Sequence, residues 1–157
     1  MASLDSVADD RVLVITRIFD APRELVWQAW TDPEMAVQWA GPRDYPAISV
    51  EGDFRVGGKY RTVLKSVETG ELLGHGGVYR DIVEHKLLSF TFAWDRDNGQ
   101  QDMLVTLTFE DAGKGRTKFT LRQERFNSVE ERDSHNGGWN SAFDRLADFV
   151  AGIGGAA

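Results

Sequence analysis

Residues 134–150, SHNGGWNSAFDRLADFV, place their apolar side chains on one face of a helix. Trp139, Ala142, Phe143, Leu146, Phe149 and Val150 fall at i, i+3, i+4, i+7, i+10 and i+11, which is the 3.6-residue period. Asp144, Arg145 and Asp148 lie off that stripe and can stay in water. Gly152, Gly154 and Gly155 follow and predict the end of the helix, as glycine past a last turn usually does. A helix from Ser134 to Val150 is about 25 Å long. It must press its aromatic face onto a large apolar surface, and the residues before it read as the sheet that supplies one.

From Ala47 to Arg125 the hydrophobic period changes to two. Six strands are predicted, over residues 47–55, 58–67, 71–84, 87–96, 101–110 and 115–125. The segments between them are turn chemistry: Val56-Gly57-Gly58, Glu68-Thr69-Gly70, Glu84-His85, Asp95 to Gly99, and Asp111-Ala112-Gly113. Such short connections predict antiparallel neighbours. In the clearest strand Leu88, Phe90, Phe92 and Trp94 alternate with Leu87, Ser89, Thr91 and Ala93, so one face is expected in the core and the other in water. Ser128-Val129-Glu130-Glu131 is a capping-box pattern at the opening of the C-terminal helical region.

Ahead of the sheet run, residues 12–18 form a further strand. Asp20-Ala21-Pro22 opens a first short helix, with Glu24 in its first turn and Leu25, Val26, Ala29 and Trp30 on its apolar side. Thr31-Asp32-Pro33-Glu34 repeats that signal for a second, which carries Met35, Val37, Gln38 and Trp39 and stops at Gly41-Pro42. The fold class is therefore α+β: a curved, antiparallel, seven-stranded sheet wrapped around a long C-terminal helix, with two short helices after strand one closing an end. One domain is expected over residues 11–151, with flexible tails at 1–10 and 152–157.

Composition narrows the function. The 157 residues are 41% hydrophobic with 5 Trp and 9 Phe, ample for a packed core. The net charge of −7 and the scatter of the 18 Lys and Arg argue against a nucleic-acid partner. No apolar run is long enough for membrane insertion. Cysteine is absent and the first ten residues have no signal-peptide character, so a cytoplasmic location is expected. Three dispersed histidines make no metal site, no catalytic motif is visible, and no cofactor is expected.

Several motifs occur in a fixed order: Asp20-Ala21-Pro22-x-x-x-Val26-Trp27, Thr31-Asp32-Pro33-Glu34, Trp39 before Gly41-Pro42, Gly57-Gly58-x-Tyr60, Leu88-x-Phe90-x-Phe92-x-Trp94, and His135-x-x-Gly138-Trp139. Over residues 11 to 151 the chain resembles the domain homologous to the C-terminal part of the activator of heat-shock protein 90 ATPase. That domain belongs to the START-like (SRPBCC, polyketide cyclase, Bet v allergen-type) superfamily with the helix-grip fold. The resemblance implies a cavity between sheet and long helix that holds a hydrophobic small molecule, a homodimer such as many relatives form, and a link to stress response. Eukaryotic chaperone activators of the family carry a further N-terminal domain, for which the ten residues before strand one leave no room, so chaperone contact is doubtful.

Aromatic side chains are the candidate cavity wall: Trp27, Trp30, Trp39, Tyr60, Phe90, Phe92, Trp94, Trp139 and Phe143, with Leu146 beside them. Core filling is the equal alternative for each. His75, inside Gly74-His75-Gly76-Gly77, and Tyr79 are the weak candidates for acid–base chemistry, which a polyketide cyclase or hydratase activity would need. His135 reads either as a polar group at the cavity mouth or as a local hydrogen bond where helix meets sheet, the two glycines after it suggesting close packing. His85 is expected to be exposed beside its turn. Asp53, Arg122 and Glu124 would form a polar constellation if their strands met across the cavity, although surface ion pairs are the commoner outcome.

Overall fold

The computed structural model describes residues 10–97 and 102–156. β1 (Val12–Phe19) is followed by two short helices, α1 (Arg23–Thr31) and α2 (Pro33–Ala36). β2 (Ala47–Gly52), β3 (Lys59–Lys65), β4 (Leu72–Val83), β5 (Leu87–Trp94), β6 (Met103–Gly113) and β7 (Arg116–Glu124) follow, and α3 (Val129–Ala156) closes the chain. The strands form one seven-stranded sheet in the order β1-β7-β6-β5-β4-β3-β2, with every neighbouring pair antiparallel. Six of them, β2 to β7, follow one another as a meander. β1 alone crosses over, and α1 and α2 form the crossing.

The two helix starts solve the same problem differently. Asp32 accepts a hydrogen bond from the Glu34 backbone N–H at 3.0 Å, with Pro33 in the first helical position. Asp20 does not cap α1; Pro22 takes that place with extended backbone and no side-chain bond. α2 is shorter than the sequence predicts, with Val37 to Trp39 continuing as turns. Trp39 remains buried, its indole N–H donating to the Ala29 carbonyl at 3.0 Å.

α3 is longer than its apolar stripe at both ends. Ser128 Oγ accepts from the Glu131 N–H at 3.1 Å, and the Glu131 carboxylate accepts from the Asn127 N–H at 3.0 Å, a capping box displaced by one residue. The terminal glycines do not stop the helix: its backbone passes through Gly152, which adopts no left-handed conformation, and continues to Ala156. The segment expected as a flexible tail from residue 152 is helical as far as Ala156.

Strand ends moved where the backbone closed into tight turns. β2 stops at Gly52 because Asp53 to Gly58 fold into successive tight turns closed by Arg55 N–H to Asp53 O and Gly58 N–H to Arg55 O, both 2.8 Å. β6 runs through the expected turn, and the reversal falls on Lys114-Gly115, both with positive φ. Part of the expected Asp95 to Gly99 turn lies outside the described residues.

The inner face of the sheet follows the predicted alternation. Phe90, Phe92, Val105, Leu107, Phe119 and Leu121 are all buried, and Leu13, Ile15 and Phe19 extend that surface onto β1. On β5 the other face is buried too, with Ser89 and Thr91 at 3% and 9% exposure. A register shift lies between Tyr79 and Asp81 on β4, and the β5 hydroxyls repair the ladder there. Thr91 Oγ1 accepts from the Val78 N–H at 2.8 Å, and Ser89 Oγ accepts from the Asp81 N–H at 3.1 Å. The Thr91 carbonyl accepts from the Tyr60 hydroxyl at 2.7 Å, which ties β3 across β4 to β5.

Two arginines lock α3 onto this frame. Arg145 donates to the Ala40 and Gly41 carbonyls, each at 2.8 Å, and to the Gln38 carbonyl at 3.1 Å, so the loop after α2 hangs from the long helix. Arg17 donates from β1 to the Asn140 carbonyl at 3.1 Å and to Asp144 at 2.9 Å.

Glycines 74 and 77 differ in what crowds them. A Cβ at Gly77 overlaps the Thr91 carbonyl, which is fixed backbone, whereas one at Gly74 meets the side chains of Asp95 and Arg61, which form a bidentate ion pair beside it. Gly77→Ala is expected to destabilise by about 2–3 kcal/mol and Gly74→Ala by about 1 kcal/mol or less. Chemical denaturation of both variants measures the difference; equal costs would contradict the close approach.

Candidate functional site

The two halves of α3 meet different surroundings. In the second half Ala142, Phe143, Leu146 and Val150 are fully buried, and Phe143 packs edge-on against Phe19 and Phe119. In the first half the residues facing β2 to β5 are Glu130, Glu131, Ser134, His135, Gly137 and Gly138. A Cβ built on Gly137 or Gly138 meets nothing within 4 Å. The close packing expected from this glycine pair is therefore absent, and the pair borders open space.

That space is a cavity of about 820 Å³, of a size that takes drug-sized ligands. Its sheet wall includes Val50, Tyr60, Thr62, Leu64, Leu73, His75, Tyr79, Leu88, Phe90, Phe92 and Trp94. Trp30 and Trp39 come from α1 and the turn after α2, Trp139 from α3, and Asp44 and Tyr45 from the loop that leads to β2.

Seven of the ten residues expected to line a cavity do so: Trp30, Trp39, Tyr60, Phe90, Phe92, Trp94 and Trp139. Three are core instead. Trp27 packs edge-on against Phe54, His85 and Phe109 on the far side of α1, and Phe143 and Leu146 belong to the filled half of α3. A single helical stripe runs past both the filled and the hollow parts, and spacing alone does not separate them. His85, expected to be exposed, is half-buried against Trp27. Sequence reasoning missed Thr62, Leu64 and the polar residues of α3; only the small and polar character of residues 134–138 signalled them.

The Asp53, Arg122 and Glu124 constellation does not form. β2 and β7 lie on opposite sides of the sheet centre, Asp53 pairs with Arg55 at 2.7 Å, and Arg122 pairs with Glu124 at 3.3 Å along one strand.

Both cavity histidines are neutral at physiological pH. Burial pushes His75 down to about 3, with the neighbouring His135 and Arg61 adding to the effect and Asp95 opposing it. His75 stacks on Phe92 at 4.2 Å, and its Nδ1 has no hydrogen-bond partner. Burial likewise pushes His135 down to about 4, Glu131 opposing the fall. His135 combines the two roles expected as alternatives: it lines the cavity, and its Nε2 accepts from the Trp94 indole N–H at 3.1 Å. Burial also raises the phenols of Tyr60 and Tyr79. The Trp139 indole N–H donates to fully buried Gln123 at 2.8 Å. The Trp30 indole N–H has no acceptor. Among the described residues no helix is long and apolar enough to cross a membrane.

The sequence matches the model of the family described as Activator of Hsp90 ATPase homolog 1-like protein over residues 20–151. No curated protein matches the chain. Among solved structures, protein CV1439 from Chromobacterium violaceum is 26% identical with a TM-score of 0.80, over 88% of this chain and 96% of its own. The AHSA1 (SPO3351) protein from Silicibacter pomeroyi is 22% identical with a TM-score of 0.78, over 89% and 97% respectively. CalU16 from Micromonospora echinospora is 24% identical with a TM-score of 0.67, over 88% and 75%.

Two outcomes are expected. Gly138→Ala removes a helix-interior glycine without a clash, so unfolding free energy should rise by about 0.5–1 kcal/mol; a loss would mean that the space is not open. The depressed histidines bind protons more weakly folded than unfolded, so stability is full above the unfolded pKa of about 6.5 and falls as pH drops toward the folded values. Urea titrations from pH 7 to pH 4 should show that fall, with a shallower slope for His75→Phe; an unchanged slope would contradict a buried neutral imidazole.

Proposed function

The chain belongs to the Activator of Hsp90 ATPase homolog 1-like family, and on that footing we propose that it binds an apolar or aromatic small molecule between the sheet and the first half of α3. One observation carries the reading: an 820 Å³ cavity walled by Trp30, Trp39, Tyr60, Phe90, Phe92, Trp94 and Trp139. Aromatic walls of this kind supply large contact area to flat or greasy molecules while their N–H and O–H groups orient a polar end. Burying an apolar ligand there is favoured by about 25 cal/mol for each Å² removed from water. The lining is held by its own bonds (Trp39 to Ala29, Trp94 to His135, Trp139 to Gln123), which supports a preformed site with little ordering cost on binding.

Catalysis by the cyclase or hydratase route has less support. A base works best with a pKa near the operating pH, and burial makes His75 a weak base and Tyr79 a weaker acid than free tyrosine. These groups suit hydrogen bonding to a bound molecule better than proton transfer. Contact with a chaperone has the family name as its support, and fold or family alone does not settle function.

Native mass spectrometry of freshly purified protein tests the binding reading. A discrete added mass that survives gentle handling and leaves on unfolding is the expected result, either as isolated or after exposure to a panel of apolar compounds. A clean unliganded mass under both conditions would overturn it.

A further inference from the structure

Charge separates the ligands that an aromatic cavity of this kind can take. Among the described residues, the ionised side chains in its lining are Asp44, Arg96, Glu130 and Glu131. Asp44, Arg96 and Glu130 are exposed and Glu131 is half-buried, so these charges belong to the rim and not to the floor. Three of the four are carboxylates. The floor holds no ion, because burial keeps His75 and His135 neutral. Arginines on neighbouring elements are matched: Arg61 with Asp95 at 2.6 Å and Arg43 with Asp148 at 3.7 Å. Arg145 is turned onto the Gln38, Ala40 and Gly41 carbonyls.

Groups in the wall register the same balance. Burial is the main reason that both histidines are depressed. Of the fixed charges beside them, Glu131 acts on His135 more strongly than Arg96, and Asp95 acts on His75 more strongly than Arg61. Tyr45, also in the lining, donates to Glu71 at 2.9 Å, and that bond, burial and the charges of Glu71 and Asp44 raise its phenol. Three separate parts of the wall therefore meet a net negative field. A carboxylate drawn inside would pass like charges at the rim and lose its hydration with no counter-charge in the floor. An ammonium held at the rim keeps its water, meets carboxylates and has aromatic rings beside it. The Trp94 ring already carries a cation, the Arg96 guanidinium, at 5.4 Å from its centroid.

We propose that the cavity takes a cationic amphiphile, an aromatic amine or quaternary ammonium compound, and discriminates against anions such as fatty acids. The flat apolar body lies against the aromatic wall, and the charged end stays at the carboxylate-lined rim. The inference rests on the binding reading above and specifies its ligand class. A neutral molecule of the same shape gains the aromatic contacts alone and ranks between the cation and the anion.

Three probes of nearly one shape separate these cases: 1-pyrenemethylammonium, 1-pyrenemethanol and pyrene-1-carboxylate, titrated into the full chain at neutral pH and read by energy transfer from tryptophan to pyrene. At low salt the ammonium is expected to bind about threefold more tightly than the alcohol and about tenfold more tightly than the carboxylate. Added salt should narrow that spread, because exposed charges are screened over about 10 Å at 0.1 M. Asp44→Asn and Glu130→Gln should each lower the ammonium-to-carboxylate affinity ratio by about twofold, and Arg96→Gln should raise it. Glu110→Gln removes the same charge from β6 outside the cavity lining and should leave the ratio unchanged. Far-UV circular dichroism checks that each variant is folded. Equal affinity for the three probes, a carboxylate that binds most tightly, or a Glu110→Gln effect as large as those at the rim would overturn the charge assignment and leave the cavity reading in place. Binding of none of the three would overturn both.

Discussion

Phe143, Leu146 and Val150 hold the second half of α3 against the inner face of the sheet, while Gly137 and Gly138 give its first half no side chain to fill the same space. A rigid rod cannot follow a sheet that curves away from it. Where the rod carries large apolar side chains the gap closes, and where it carries glycine, serine and short polar groups the gap stays open. The cavity is thus a consequence of how side-chain volume is distributed along one helix. Arg145 and Arg17 fix the rod's position from both flanks, so the gap is not relieved by tilting.

The opposite wall is stiffened by polar repair. β4 is rich in glycine and carries the register shift, which would leave weak points in a sheet centre. Ser89, Thr91 and Tyr60 complete the missing ladder bonds with hydroxyl groups. That arrangement lets His75 and Tyr79 face the cavity from a strand whose backbone is otherwise crowded. It also explains why a strand with alternating pattern is buried on both sides: the hydroxyls on its second face are part of the sheet's hydrogen bonding.

The fold was legible because hydrophobic period is a direct record of which face meets the core. The change from period two to period 3.6, the Asp32-Pro33 helix start and the Ser128 capping box all act locally, and each appears in the structure. Boundaries failed where a local rule met a tertiary or end effect: the terminal glycines kept helical backbone, and the β6–β7 turn moved to Lys114-Gly115. For the cavity, type was legible and placement was not. Trp27 and Trp30 lie on one short helix three residues apart, yet Trp27 faces Phe109 and His85 while Trp30 faces Trp39 and Trp139. Along α3 the change from small and polar residues at 134–138 to large apolar ones at 143–150 marks the hollow stretch from the filled one, but no such pattern separates Trp27 from Trp30.

That distinction between Trp27 and the other four tryptophans also gives the most direct test. Each indole N–H gives its own signal in a nitrogen–proton correlation spectrum of labelled protein, and all five are assignable by substitution. On addition of a flat apolar probe such as pyrene, the account predicts that the signals of Trp30, Trp39, Trp94 and Trp139 shift, while Trp27 stays in place. Equal movement of Trp27, or no movement of the four, would contradict a ligand cavity under the first half of the long helix.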